Sequence, residues 1–297
     1  MKRQSSKLQS AMEYLMTYGW AILIIGVVLV TLASLGIFNP IAFSPRVSPG
    51  ACSVSRPSGP NTTFDISLVG TCSGATPQYA TVFDGGSAVY TSGSSITSTL
   101  FSDNQVTVTA WVEPTSLPTS GNNIISDADG YLQLLILPTG IVQAELFGSG
   151  GSKIITSTTK LNTNTWYFIA ATDVNIGGSA AESLYINGVL AKSATFASTT
   201  APSLPDQFII GASTTAHTFG FVGTISNVQV YGTALSGNSI TALYNEGVGG
   251  TPIDLNDLVG WWPLNGDTHD YSGNSANTIG TGIFYDGNWW YNYNGPT

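Results

Sequence analysis

Charge is scarce in this sequence. Asp, Glu, Lys and Arg make up 8% of 297 residues, with 8 basic against 17 acidic side chains. A formal net charge of −9 argues against nucleic acid as a partner, because phosphates would be repelled. Histidine is nearly absent as well. His217 and His269 are the only two, and neither has ligand spacing to a cysteine, which argues against a His/Cys metal centre. No G-x-S-x-G, H-E-x-x-H or P-loop run occurs, so nucleophilic, zinc-hydrolytic and nucleotide chemistry lack their usual signatures.

Cysteine is limited to Cys52 and Cys72, which flank a stretch rich in Pro and Gly. Outside the cytosol the expectation is a disulfide, worth about 3 kcal/mol through the loop it closes; two free thiols are the alternative. Low charge with abundant Gly, Ser, Thr and Asn suits an extracellular or surface protein. One glycosylation acceptor triplet begins at Asn61, Asn61-Thr62-Thr63.

What is present is first an apolar run. Tyr14 to Phe38 carries no formal charge over 25 residues, about 37 Å of helix, enough to cross a bilayer core with tilt. Asn39-Pro40 ends it, since proline disfavours helix in the residue before it. Lys2, Arg3 and Lys7 precede it and would stay cytoplasmic, leaving everything after Pro40 outside. The run is too long for an ordinary secretory signal, and no convincing small-residue cleavage site follows it.

The residues QSAMEYLMTYGWAIL, 9–23, resemble an archaeal type IV pilin precursor with a class III signal peptide. The resemblance implies a leader over 1–8, cut between Leu8 and Gln9, and a retained pilin helix over 9–38. Leu8 departs from the small residue usual before the cut. Cutting removes the cationic anchor and frees the helix to pack with copies of itself. Glu13 then needs a partner in an apolar bundle, and the resemblance supplies the new N-terminal amine of a neighbouring subunit, which would set axial register. The implied partners are the chain itself as a helical homopolymer, a prepilin peptidase, a secretion ATPase and a platform membrane protein. The precursor would sit in the cytoplasmic membrane and the mature form in an extracellular filament that displays its heads for surface adhesion; a membrane-anchored or minor-pilin glycan-binding adhesin that does not form the filament body is the alternative.

Residues 39–63 are rich in Pro, Ser and Gly and are expected to be an extended linker. Over 64–297 short alternating runs recur between turn residues, with no βαβ alternation, which indicates an all-β sandwich. Asn187-Gly188 is a tight-turn signal. One helix is expected at 237–246, capped by Ser236 and stopped by Gly247.

The segments 82–85, 108–112, 166–169, 184–188 and 221–247 resemble, in order, the strands and closing helix of a laminin G-like, concanavalin A-type jelly roll. The fold expected is therefore a long N-terminal α-helix followed by an all-β antiparallel jelly-roll sandwich. Residues 258–274, LVGWWPLNGDTHDYSGN, resemble that family's first strand, yet stand near the C-terminus. Circular permutation, with the tail filling its own domain, is the leading explanation. Donation of the strand to a neighbour and a truncated second domain are the others.

The resemblance implies sugar binding. Trp289, Trp290 and Tyr291, with Trp261 and Trp262, offer stacking faces for surface glycans; filling the sandwich or an interface is the alternative. Asn265, Asp267 and Asp270 are candidate calcium ligands, unless they form only a solvated turn. No cofactor is otherwise expected. Glycosidases on related folds carry an E-x-D-x-x-E strand, which is missing here. Asp127 and Asp129 fall at an expected turn, so no enzyme is expected.

Overall fold

The computed structural model describes residues 21–29, 53–55, 67–69 and 77–287, apart from positions 78, 92–95, 97–103, 129, 147–152, 177, 198–206, 215, 217, 275 and 277. The chain divides into two compact units, Met1–Val47 and Ser48–Thr297. In the first, residues 21–29 are helical. All nine residues of this segment are exposed, and seven are large and apolar. Among the described residues no helix is long and apolar enough to cross a membrane. The expected long helix over 9–38 is not shown: the described helix covers 21–29 alone, and the rest of that range lies outside the described residues. Leu8, Gln9 and Glu13 lie outside the described residues, as do Cys52, Asn61 and Cys72.

The second unit begins with β1 (Ser53–Ser55) and β2 (Ser67–Val69), paired antiparallel with Ser53 opposite Val69. The expected linker thus contains a strand. Pro and Gly dominate the composition around it, but Ser53-Val54-Ser55 contains neither and extends readily.

The strands that follow are β3 (Ala80–Asp84), β4 (Ala88–Thr91), β5 (Gln105–Pro114), β6 (Asn122–Asp127), β7 (Leu132–Ile136), β8 (Ile141–Leu146), β9 (Ile154–Lys160), β10 (Tyr167–Ile176), β11 (Ser179–Ile186), β12 (Val189–Ala197), β13 (Phe208–Ile210) and β14 (Val222–Tyr231). Helix α1 (Gly237–Glu246) comes next, then β15 (Leu258–Trp262), β16 (Thr278–Thr281) and β17 (Phe284–Asp286). They build two antiparallel sheets. The larger runs β12-β11-β10-β5-β14-β3-β17, with β15 also on β14, and the smaller runs β16-β4-β13-β6-β7-β8-β9.

Period-two alternation decides which side chains fill the sandwich. On β5, Val106, Val108, Ala110 and Val112 face the smaller sheet, as do Ile225, Val228 and Val230 around β14. Trp111, Phe168 and Tyr231 point the other way and pack under α1 against Ile240, Leu243 and Tyr244. The Trp111 and Tyr244 rings stack at 5.7 Å and 22°. The helix starts where expected: the Ser236 hydroxyl accepts from the Ser239 amide at 3.2 Å, and Gly247 ends it at φ 79°. Asn187 and Gly188 make the β11–β12 turn with φ of 52° and 74°. Asp127 is the last residue of β6 rather than part of the turn, and its Oδ1 accepts from the Tyr131 amide at 2.8 Å.

The tail folds back into its own domain. β15 lies beside β14 with Val228 opposite Trp262, β16 adds to β4, and β17 adds to β3. Trp262 is fully buried between the sheets and stacks on Phe208 at 5.2 Å and 16°. Its indole lies over Gly260, where a Cβ would collide with the ring. That contact accounts for a glycine inside a buried strand.

Candidate functional site

One edge of β14 is shared by two partners. Val222 to Ile225 pair with β3, and Val228 to Tyr231 pair with β15. Between them the β14 register breaks in a bulge, with Asn227 in the left-handed region at φ 48°. Asparagine tolerates that conformation better than most residues, and the bulge re-aims its side chain. The gap between β3 and β15 is crossed by Pro263-Leu264-Asn265. The Asn227 amide and the Ser226 hydroxyl both donate to the Pro263 carbonyl, at 3.0 and 3.1 Å. Thr81 Oγ1 donates to the Leu264 carbonyl at 3.0 Å. Leu264 itself is fully buried at φ 55°, a conformation costing about 1–3 kcal/mol that a packed surround must hold.

This junction opens into a cleft of about 330 Å³, lined by Pro77, Asn227, the Val248–Thr251 turn, Trp261, Pro263, Asn265, Asp267 and Tyr271. Its groups are held in place before any ligand arrives. Trp261 Nε1 donates to Asn227 Oδ1 at 2.8 Å, and Asn227 Nδ2 donates to the Gly250 carbonyl at 2.8 Å. Gln229 Nε2 donates to the same Asn227 oxygen at 3.1 Å, and Tyr231 donates to Gln229 Oε1 at 2.6 Å. The network is buried behind the cleft, and burial pushes the Tyr231 phenol well above its ordinary range.

The Trp261 backbone is clamped on both sides. Its amide donates to Asp270 at 3.0 Å, and its carbonyl accepts from the Tyr271 amide at 2.8 Å. The Trp261 and Tyr271 rings meet edge to face, with centroids 6.1 Å apart and planes at 64°. Tyr271 is 54% exposed and donates its hydroxyl to Asp267 Oδ2 at 2.8 Å. That hydrogen bond, followed by the Asp267 charge, raises the phenol pKa.

The three candidate calcium ligands separate. Asn265 and Asp267 line the cleft, where Asn265 Oδ1 accepts from the Tyr79 amide at 2.8 Å and Asp267 Oδ1 from the His269 amide at 3.1 Å. Asp270 instead takes four donors: the amides of Trp261, Ser272 and Ala276 and the Ser272 hydroxyl. Among the described residues no group of three or more His, Cys, Asp or Glu gathers as a metal site.

Of the candidate sugar-stacking aromatics, Trp261 faces the cleft and Trp262 fills the core, as alternation along one strand requires. Trp289, Trp290 and Tyr291 lie outside the described residues. Sequence reasoning missed Asn227, Tyr271 and the 248–251 turn. Tyr271 had a signal, since it directly follows the singled-out Asp270 in the run DTHDY; Asn227 had none. Chemically the cleft offers aromatic faces, one carboxylate and amide groups. Among the described residues of the lining, Asp267 is the one carboxylate.

Residues 84–241, more than half of the chain, match the laminin G-type family model of the concanavalin A-like lectin/glucanases superfamily. No curated protein matches the sequence. Among solved structures, a candidate carbohydrate-binding protein from Bacteroides ovatus aligns at 20% identity and a TM-score of 0.53, over 74% of this chain and 66% of that one. A SAP-like pentraxin from Limulus polyphemus aligns at 14% identity and a TM-score of 0.49, over 71% and 97%. Domain 4 of an extracellular arabinanase from Geobacillus stearothermophilus, solved with arabinotriose, aligns at 23% and 0.42, over 57% and 81%. The family match, with the two-sheet sandwich, establishes that the chain belongs to the concanavalin A-like lectin/glucanases superfamily.

Proposed function

We propose that the Ser48–Thr297 unit is a non-enzymatic carbohydrate-binding module that serves adhesion at the cell surface. The observation that carries this reading is the cleft at the β14 bulge, where Trp261 and Tyr271 stand beside Asp267, Asn265 and Asn227. Sugar rings present apolar C–H faces to aromatic rings and hydroxyls to carboxylates and amides. Among the described residues no Lys or Arg lines the cleft, and Asp267 repels carboxylated or sulfated sugars, so neutral glycans are the expected ligands. The superfamily and the Bacteroides ovatus relative, itself a carbohydrate-binding candidate, support the same reading. On a glycan array the protein is expected to retain neutral oligosaccharides, and a loss of retention in chelator would assign Asn265 and Asp267 to calcium. An array without any retained glycan would overturn the reading.

A second reading concerns delivery. The QSAMEYL motif and the apolar run behind it favour a type IV pilin-like subunit, cut between Leu8 and Gln9, registered through Glu13 and assembled by a prepilin peptidase, a secretion ATPase and a platform protein. The exposed apolar segment 21–29 supports it, because such a surface requires lipid or other helices to cover it. The β1–β2 pairing, beside Cys52 and Cys72 in sequence, supports the disulfide. The family match stops at residue 241, ahead of the β15 strand, as a permuted first strand would require. N-terminal sequencing of sheared extracellular material is expected to begin at Gln9. An uncut Met1 in every fraction would leave a membrane-tethered module instead.

A further inference from the structure

Beside the apolar middle of the sandwich, a lysine is fully buried. Lys153 stands just before β9, the edge strand of the smaller sheet. Its Nζ lies 2.8 Å from Oδ2 of Asp173, with side-chain exposures of 1% and 0%. Asp173 belongs to β10 in the larger sheet, so the pair bridges the two sheets. On its own ladder Asp173 is flanked by Val106 of β5 and Glu182 of β11. Glu182 is also fully buried.

The polar groups of this cluster are not all satisfied. Among the described residues, Asp173 Oδ1 and both oxygens of Glu182 have no partner in hydrogen-bond geometry; the Val174 and Leu146 amides pull the Asp173 and Glu182 pKa values down without reaching that geometry at these atoms. A buried ion pair is held only at a desolvation cost, and neutralising both charges together is often neutral or favourable. Unsatisfied buried carboxyl groups in a native fold call for a chemical reason.

We propose that Lys153 and Asp173 react with each other to form an intramolecular amide bond that joins the two sheets, with Glu182 as the neighbouring proton-transfer group. A proton passes from Nζ to Oδ2 along their hydrogen bond, leaving a neutral amine and a neutral carboxylic acid. The amine lone pair adds to Asp173 Cγ, forming the N–C bond and placing charge on Oδ1, which Glu182 in its protonated form stabilises. A second proton leaves the nitrogen, relayed through Glu182, and reaches the departing Oδ2. The Cγ–Oδ2 bond breaks, one water is released, and the carbonyl re-forms. Atoms and electrons balance without an oxidant or co-reactant.

The surroundings suit each step. Burial, reinforced by the Asp173 charge and by Glu145 and opposed by Lys153, pushes Glu182 up to about 9, so it holds its proton at neutral pH. Burial likewise raises the Asp173 carboxyl, against the pull of the Lys153 hydrogen bond and charge. Apolar neighbours such as Val106, Ala171 and Leu184 keep out the water that would reverse the reaction. The bond removes both buried charges and links the sheets covalently, which suits a domain displayed outside the cell and pulled on by what it holds.

Peptide mapping of the full-length folded protein tests this. The expected result is no tryptic cleavage after Lys153, with the Lys153 and Asp173 peptides recovered as one species lighter by one water. Lys153→Arg, which keeps the charge, supplies the unjoined reference. In a refolding time course Glu182→Gln is expected to slow joining by about 10²-fold or more, the usual contribution of a proton-transfer group. The wild-type rate is expected to fall above about pH 9, a fall that Glu182→Gln lacks. Folded wild-type protein that yields a free Lys153 peptide would overturn the proposal. Glu182→Gln joining at the wild-type rate and with the wild-type pH profile would overturn the part given to Glu182.

Discussion

Trp262→Ala is expected to cost about 3–5 kcal/mol, the range for removing a large aromatic from a packed core. In a domain of this size that lowers the thermal midpoint by roughly 10 °C. Trp262 comes from the tail strand β15, is fully buried between the sheets, and stacks on Phe208 at 5.2 Å. Among the described residues its indole Nε1 has no hydrogen-bond partner, so Trp262→Phe loses volume without stranding a described acceptor and should be much milder. The comparison tests whether the tail is part of its own domain's core. If the tail were donated to a neighbour, the loss would appear instead as failed association of an otherwise intact monomer. Thermal melts read beside the oligomeric state separate the two.

Trp261→Ala is expected to do the reverse, lowering the melt much less than Trp262→Ala and weakening glycan retention by about 10- to 100-fold, as for a central aromatic anchor. The ring supplies a stacking face, and its Nε1 hydrogen bond to Asn227 fixes that face in place. Asn227→Ala should weaken binding less, because it loosens the Trp261 ring and the Gly250 turn without removing either. A titration calorimeter reads both. Equal affinities for wild type and Trp261→Ala would place the sugar elsewhere on the head.

What was legible beforehand was local. The α1 boundaries followed from Ser236 and Gly247, and the β11–β12 turn from Asn187-Gly188, because cap and turn geometry depend on neighbours in sequence. The sandwich followed from alternation. The pairing of one Trp inward and one outward in LVGWW was implicit in the same alternation, although it could not say which. The cleft was not legible. Asn227 reads as an ordinary strand residue until the bulge turns it. The bulge falls where β3 and β15, from opposite ends of the domain's sequence, meet on one edge of β14. Lys153 follows a Gly/Ser-rich run that reads as a surface loop. Its burial depends on β10 and β11 closing over it, which no local pattern encodes.

The most direct test of the carbohydrate-binding cleft is an amide and indole NMR titration of the protein with a neutral oligosaccharide retained on the array. The Trp261 indole signal, with the backbone signals of Asn265, Asp267 and Tyr271, is expected to shift in a saturable way. The buried indoles of Trp111 and Trp262 should stay in place. Saturable binding that leaves Trp261 unmoved while signals on another face shift would contradict it.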